Sequence, residues 1–111
     1  MTAAAFVTDL MFKSKIDAAA RAAGSVVRYP KALDDLDRDP PGLILIDLGL
    51  KGQDSVALVA QLAKSRRGTG ATIVAYGSHV DQETLARARE AGADRVLPRS
   101  AFVKLLPELF R

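Results

Sequence analysis

The stretch Gly42-Leu43-Ile44-Leu45-Ile46-Asp47-Leu48-Gly49-Leu50-Lys51-Gly52 governs the reading of the remaining sequence. Four consecutive large aliphatics ending in a carboxylate predict a strand buried on both faces, because a half-exposed strand alternates apolar and polar residues. Pro40 and Pro41 stop whatever precedes it, and a glycine-containing loop follows at once. Asp47 is thereby placed at the carboxyl end of a central parallel strand, the edge at which open α/β sheets bind ligands. A strand-end aspartate on its own is most simply a cap for the next loop or helix. The second carboxylate, Asp9, expected at the end of the first strand, gives the pair a chemical meaning.

The 111 residues make one domain, residues 1–111, large enough for a core without cross-links. Hydrophobic residues at 49% and charged residues at 26% are ordinary for a soluble fold. The absence of cysteine removes disulfides, thiolate chemistry and Cys-based metal sites, and the single histidine, His79, cannot build a zinc site. No apolar run approaches the roughly 18 residues of a membrane span, and the N-terminus lacks a secretory pattern, so a cytoplasmic protein is expected. The net charge of +3 is mild. Its only cluster, Lys64-Ser65-Arg66-Arg67, falls at a helix end, where cations complement the macrodipole. Nucleic acid is therefore not the expected partner.

Working outward, Ala3 to Asp9 predicts the first strand and Phe12 to Ala23 a helix with Phe12, Ile16, Ala20 and Ala23 on one face. Gly24 stands where a left-handed C-terminal cap is wanted. Ser25 to Tyr29 reads as an edge strand, and Lys31 to Asp37 as a short, irregular helix anchored by Leu33 and Leu36. After the central strand, Gln53 or Asp54 caps a helix reaching about Arg67, with Val56, Val59, Ala60 and Ala63 inward and Gly68 and Gly70 ending it. Ala71 to Tyr76 is the fourth strand. Asp81 caps a helix with Leu85, Ala88 and Ala91 inward, closed by Gly92. Arg95 to Leu97 is the fifth strand, and Ser100 caps a last helix that Pro107 should kink or interrupt.

Five strands alternating with five helices predict a three-layer α/β fold with a parallel sheet of flavodoxin-like order 2-1-3-4-5. Asp9 and Asp47 then meet at the switch point between strands one and three, where two carboxylates invite a hard divalent cation. Neither a dinucleotide-binding glycine turn nor a P-loop occurs, and no Gly-x-Ser-x-Gly elbow supports hydrolase chemistry.

Three segments together resemble the receiver domain of bacterial response regulators. Ile46 to Asp54 is similar to the family's phosphoacceptor loop, with Lys51 in the position of its proline. Ala91-Gly92-Ala93-Asp94-Arg95-Val96-Leu97 is similar to the approach to the fifth strand, and Thr8-Asp9-Leu10 to the acidic pair closing the first. The resemblance spans the chain. It implies that Asp47 accepts a phosphoryl group from a histidine kinase partner, while Asp9, Asp47 and the Gly49 carbonyl hold Mg²⁺. It also implies a hydroxyl and a lysine that grip the phosphoryl oxygens, and an aromatic switch in the fifth strand.

Several of those positions are altered. Thr8 replaces the first acid. Counted without gaps, the hydroxyl position falls on Gly77, with Ser78 beside it, the lysine position on Arg99 and the aromatic on Val96. The expected protein is therefore an atypical or pseudo-receiver: not an enzyme, acting by protein–protein interaction, with impaired or absent phosphorylation switching and a Mg²⁺ site that is weak or absent. The alternative is a working single-domain response regulator with phosphate on Asp47, and a more distant one is a flavodoxin-like small-ligand module. With the chain running no further than Arg111, just after the last helix, no DNA-binding output domain is expected within it, and output is expected through partner contact or through a domain outside this chain. The expected contact face carries Arg87, Arg89, Arg95 and Lys104.

Overall fold

The computed structural model describes residues 2–66 and 69–111. Its five strands are β1 (Thr2–Phe6), β2 (Val26–Arg28), β3 (Leu43–Asp47), β4 (Thr72–Gly77) and β5 (Arg95–Pro98), all pairing parallel in the order β2-β1-β3-β4-β5. The four α-helices are α1 (Leu10–Ala22), α2 (Ser55–Ser65), α3 (Gln82–Ala91) and α4 (Arg99–Leu109). This is the expected order and layering, with one helix fewer. Between Lys31 and Asp37 the backbone makes only a single 3₁₀ turn, Leu33–Leu36. Leu36 is its one fully buried anchor, and Asp35 spends its carboxylate on the amides of Lys31 and Ala32, which favours a tight turn over a continued helix.

Every residue of β3 is buried, as its unbroken aliphatic run demands. Alternation along the strands then divides the core. Ala4, Phe6, Ile44, Ile46, Ile73, Ala75 and Val96 pack on the side of α2 and α3. Ala3, Ala5, Leu43, Leu45, Val74 and Tyr76 pack on the other side with Ile16 of α1 and Phe102 of α4. Tyr76 clusters with Phe12 and Phe102, whose ring centroids lie 5.2 and 3.9 Å from its own and 6.4 Å from each other. Stacked aromatic pairs of this kind contribute on the order of 0.5–1.5 kcal/mol beyond area burial. They fix the end of β4 beneath the sheet's carboxyl edge.

Local details differ from the sequence expectation in instructive ways. β1 ends at Phe6, and α1 begins at Leu10, because the Asp9 carboxylate leaves the strand to accept hydrogen bonds from the amides of Met11 and Phe12. In α2 the buried stripe is Ser55, Leu58, Val59 and Leu62. Val59 matches the expectation, but Ala60 is exposed and Val56 and Ala63 only half-buried, since the longer leucines take the inward positions. Asp54 caps α2 and Asp81 caps α3. Ser100 caps nothing: α4 begins at Arg99, directly after Pro98, which stands at the cap position in extended backbone and has no side-chain hydrogen bond to offer. The helix also runs through Pro107 to Leu109, because the proline sits in the last turn, where few backbone bonds depend on it. Gly24, Gly70 and Gly92 adopt left-handed backbone, while Arg67 and Gly68 lie outside the described residues.

Candidate functional site at the carboxyl edge of the sheet

The first five residues of the phosphoacceptor-like loop are folded by local bonds. Asp47 Oδ1 accepts the Gly49 amide at 2.7 Å, and the Leu50 amide reaches the Asp47 carbonyl at 3.0 Å. The Leu48 amide donates to the Tyr76 carbonyl at 2.8 Å, and the Ser55 hydroxyl donates to the Leu48 carbonyl at 2.9 Å. The loop is thus tied to β4 on one side and to the start of α2 on the other. Gln53, a sequence candidate for that cap, leaves the role to Asp54.

Asp47 is only 3% exposed, yet it faces a cavity of about 240 Å³ lined by Thr8, Asp9, Asp47, Gly49, Lys51 and Arg99. The topology therefore brings the expected carboxylate pair to one site. Arg99, at the start of α4, places Nη2 3.8 Å from Asp47 Oδ1. A Cβ at Gly49 would lie 2.8 Å from that same Nη2, so the guanidinium rests directly over the loop backbone. Burial raises the Asp47 carboxyl above its ordinary pKa. The Gly49 hydrogen bond and the Arg99 charge pull it back, the Asp9 charge adds to the rise, and the Tyr76 hydroxyl opposes it.

Tyr76 joins the site although no motif in the sequence marks it. It pairs in register with Asp47, and its hydroxyl is buried without a hydrogen-bond partner of ordinary geometry among the described residues. Burial, then the Asp47 charge, drives its pKa far above the usual phenol range. The available signal was a hydroxyl-bearing aromatic ending the otherwise aliphatic run Ile73-Val74-Ala75.

On the β4–β5 side the residues are differently disposed. Gly77 is buried, and a Cβ there would meet Leu48 Cβ at 3.3 Å and Leu85 Cδ2 at 3.5 Å. Leu48 therefore crowds the place where a side chain at this position would begin. Beside it a cavity of only about 70 Å³ is lined by Leu48, Gly77, Ser78, Leu85 and Arg99 among others. Ser78 turns its Oγ toward the Val80 amide, 3.4 Å away, within its own loop. Val96 is buried in the core on the α2–α3 side. Arg87 and Arg89 on α3, Arg95 on β5 and Lys104 on α4 are all exposed.

A divalent cation fits this donor set poorly. One Asp9 oxygen already serves two helix amides, Asp47 shares its pocket with a guanidinium, and Thr8 supplies no charge. Among the described residues no group of three or more His, Cys, Asp or Glu side chains could hold a metal ion. No helix among them is long and apolar enough to cross a membrane.

No protein-family model matches the sequence, and no curated protein sequence matches it either. Solved structures do. A putative response regulator from Chloroflexus aurantiacus superposes with a TM-score of 0.81 at 21% identity, over 95% of this chain and 89% of that one. The BeF3-activated receiver domain of DrrB gives 0.77 at 16% identity, over 96% and 91%. HP1043, an orphan response regulator of H. pylori, gives 0.74 at 14% identity, over 100% and 97%. The chain is structurally similar to response-regulator receiver domains; at these identities the likeness is one of fold.

Proposed function

We propose that this chain is a receiver-fold signalling module that works by protein–protein contact and does not use Asp47 as a phosphate switch. The observation that carries this reading is the Arg99 guanidinium, 3.8 Å from Asp47 Oδ1 and seated over Gly49. Arg99 is a cation tethered where a divalent ion would have to enter. A tethered group competes at an effective concentration of roughly millimolar or more, comparable with a weak Mg²⁺ site. The pair is not a strong one, because the Arg99 side chain is 40% exposed and screened by water. Its consequence is occupancy more than stability.

Switching also requires that the phosphorylated state gain interactions the free state lacks. Gly77 has no hydroxyl to move toward a phosphoryl group, and Leu48 crowds the place where a side chain there would begin. Val96 has no ring to swing inward. Arg99 could grip phosphoryl oxygens through charge-assisted bonds, but that grip would be local. The exposed cations Arg87, Arg89, Arg95 and Lys104 on α3, β5 and α4 suit an acidic protein surface.

The second reading is a functional response regulator phosphorylated on Asp47 by a histidine kinase. It is favoured by one observation: Asp9 and Asp47 line the same cavity. Intact mass after exposure to acetyl phosphate and Mg²⁺, beside an Asp47→Asn control, separates the two. The proposal expects little or no phosphoryl adduct on either protein. A near-stoichiometric adduct that Asp47→Asn abolishes would favour the second reading.

A further inference from the structure

Next to the Asp47 site, the edge of the sheet opens into a second cavity of about 330 Å³ with a different character. It spans the ends of β1, β2 and β3, and shares Thr8 and Lys51 with the first. Lys13, Lys31 and Lys51 line it from three separate segments, and no aspartate or glutamate does. None of the three ammonium groups has a carboxylate partner among the described residues, where the ion pairs are Arg66–Asp37 and Arg99–Asp47. Three lysines bordering one concavity without a carboxylate partner give it a positive potential, which favours an anion there.

Local structure holds this arrangement in place. Tyr29 forms one wall; its hydroxyl is committed to Asp17, and Lys13 Nζ lies 4.5 Å from its ring centroid. The Lys31 amide is fixed by Asp35 Oδ2 at 3.1 Å, and the Lys51 amide approaches Thr8 Oγ1 at 3.4 Å. Gln53 adds a neutral polar group to the lining. The volume falls at the lower end of the roughly 300–1,000 Å³ typical of small-molecule sites, and the location is a topological switch point.

We infer that this cavity binds a small phosphorylated molecule, held by Lys13, Lys31 and Lys51 and flanked by the Tyr29 ring. The inference does not rest on whether Asp47 is phosphorylated. It adds a non-covalent anion site beside the receiver-like pocket.

The test is an amide-detected NMR titration of the whole chain with pyrophosphate and, separately, with ADP, at constant ionic strength. Saturable shifts centred on Thr8, Tyr29, Lys31 and Lys51 are expected. Equal affinity for both probes assigns the site to the phosphate groups alone, whereas tighter ADP binding assigns it to a nucleotide stacked on Tyr29. Replacing two charge-assisted contacts in the double variant Lys31→Gln/Lys51→Gln should lower affinity about tenfold or more. Lys64→Gln, which removes a comparable exposed charge elsewhere, should leave it unchanged. The inference is overturned if neither probe gives saturable shifts, if Lys64→Gln weakens binding as much as the double variant, or if the shifts centre on Asp47 and Arg99.

Discussion

The carboxyl edge of the sheet is built in two ways on its two sides. Around β1 and β3 it is open, with Asp9 and Asp47 facing Lys51 and Arg99 across one cavity of about 240 Å³. Around β4 and β5 it is closed: Leu48 leans on Gly77, Val96 is sunk in the core, and the cavity shrinks to about 70 Å³. Arg99 crosses from the second side to the first. Groups that could receive a charge are thus separable from groups that would relay it. A fold can keep the first set while packing away the second.

The strongest challenge to that contrast is to rebuild the missing hydroxyl. The Cβ of Gly77→Thr would crowd Leu48 Cβ at 3.3 Å, and its further atoms must find room beside Leu48 and Leu85. Overpacking of this kind costs about 1–3 kcal/mol, readable as a lower urea midpoint. A neutral result would mean that the β4 side has room for a switch residue after all.

A smaller effect is expected from Arg99→Ala. It removes a partly exposed ion pair worth at most about 1 kcal/mol, so stability should change little. Mg²⁺ affinity, followed by NMR, should rise by up to about fivefold once the tethered cation is gone. An unchanged or weaker Mg²⁺ response would show that Arg99 does not compete for the carboxylate.

Asp47 itself gives a pH signature. Burial raises its folded pKa above the ordinary 3.8, so between those two values the native protein holds a proton that the unfolded chain has lost. Stability therefore falls as pH rises through that window, and Asp47→Asn should flatten this segment of the profile. A wild-type profile that rises there, with the rise lost in Asp47→Asn, would reverse the assigned direction. The mildest change is Gly49→Ala. Its Cβ would sit 2.8 Å from Arg99 Nη2, the movable end of a flexible side chain, and 3.2 Å from Asp47 Oδ1, and should displace the guanidinium for a small cost. The Mg²⁺ response should then resemble that of Arg99→Ala.

The division between what the sequence disclosed and what it hid follows the range of the interactions. The unbroken run Leu43 to Ile46, the caps Asp54 and Asp81 and the terminating Gly24 and Gly92 are local signals, and the strand order followed from them. Asp9 and Asp47 were visible as strand-end carboxylates. Hidden were features that depend on side chains meeting across the fold. The seat of Arg99 over Gly49, the packing of Leu48 against Gly77, and the buried Tyr76 hydroxyl below Asp47 have no sequence spacing that announces them. Lys51 stands out in the sequence only as a replacement for proline, and its meeting with Lys13 and Lys31 depends on where α1 and two loops are placed. The α2 stripe has a simpler cause: Leu58 and Leu62 fill the inward positions beside Val59 better than Val56, Ala60 and Ala63 do.

The most direct test of the account is an amide NMR comparison of the protein with and without Mg²⁺ and beryllofluoride, which mimics a phosphoryl group on aspartate. The account predicts small, local shifts around Asp9, Asp47, Gly49 and Arg99, with α3, β5 and the exposed face of α4 unmoved. Large shifts reaching Arg87, Arg95 and Lys104, abolished by Asp47→Asn, would contradict it and make the chain a working phosphate switch.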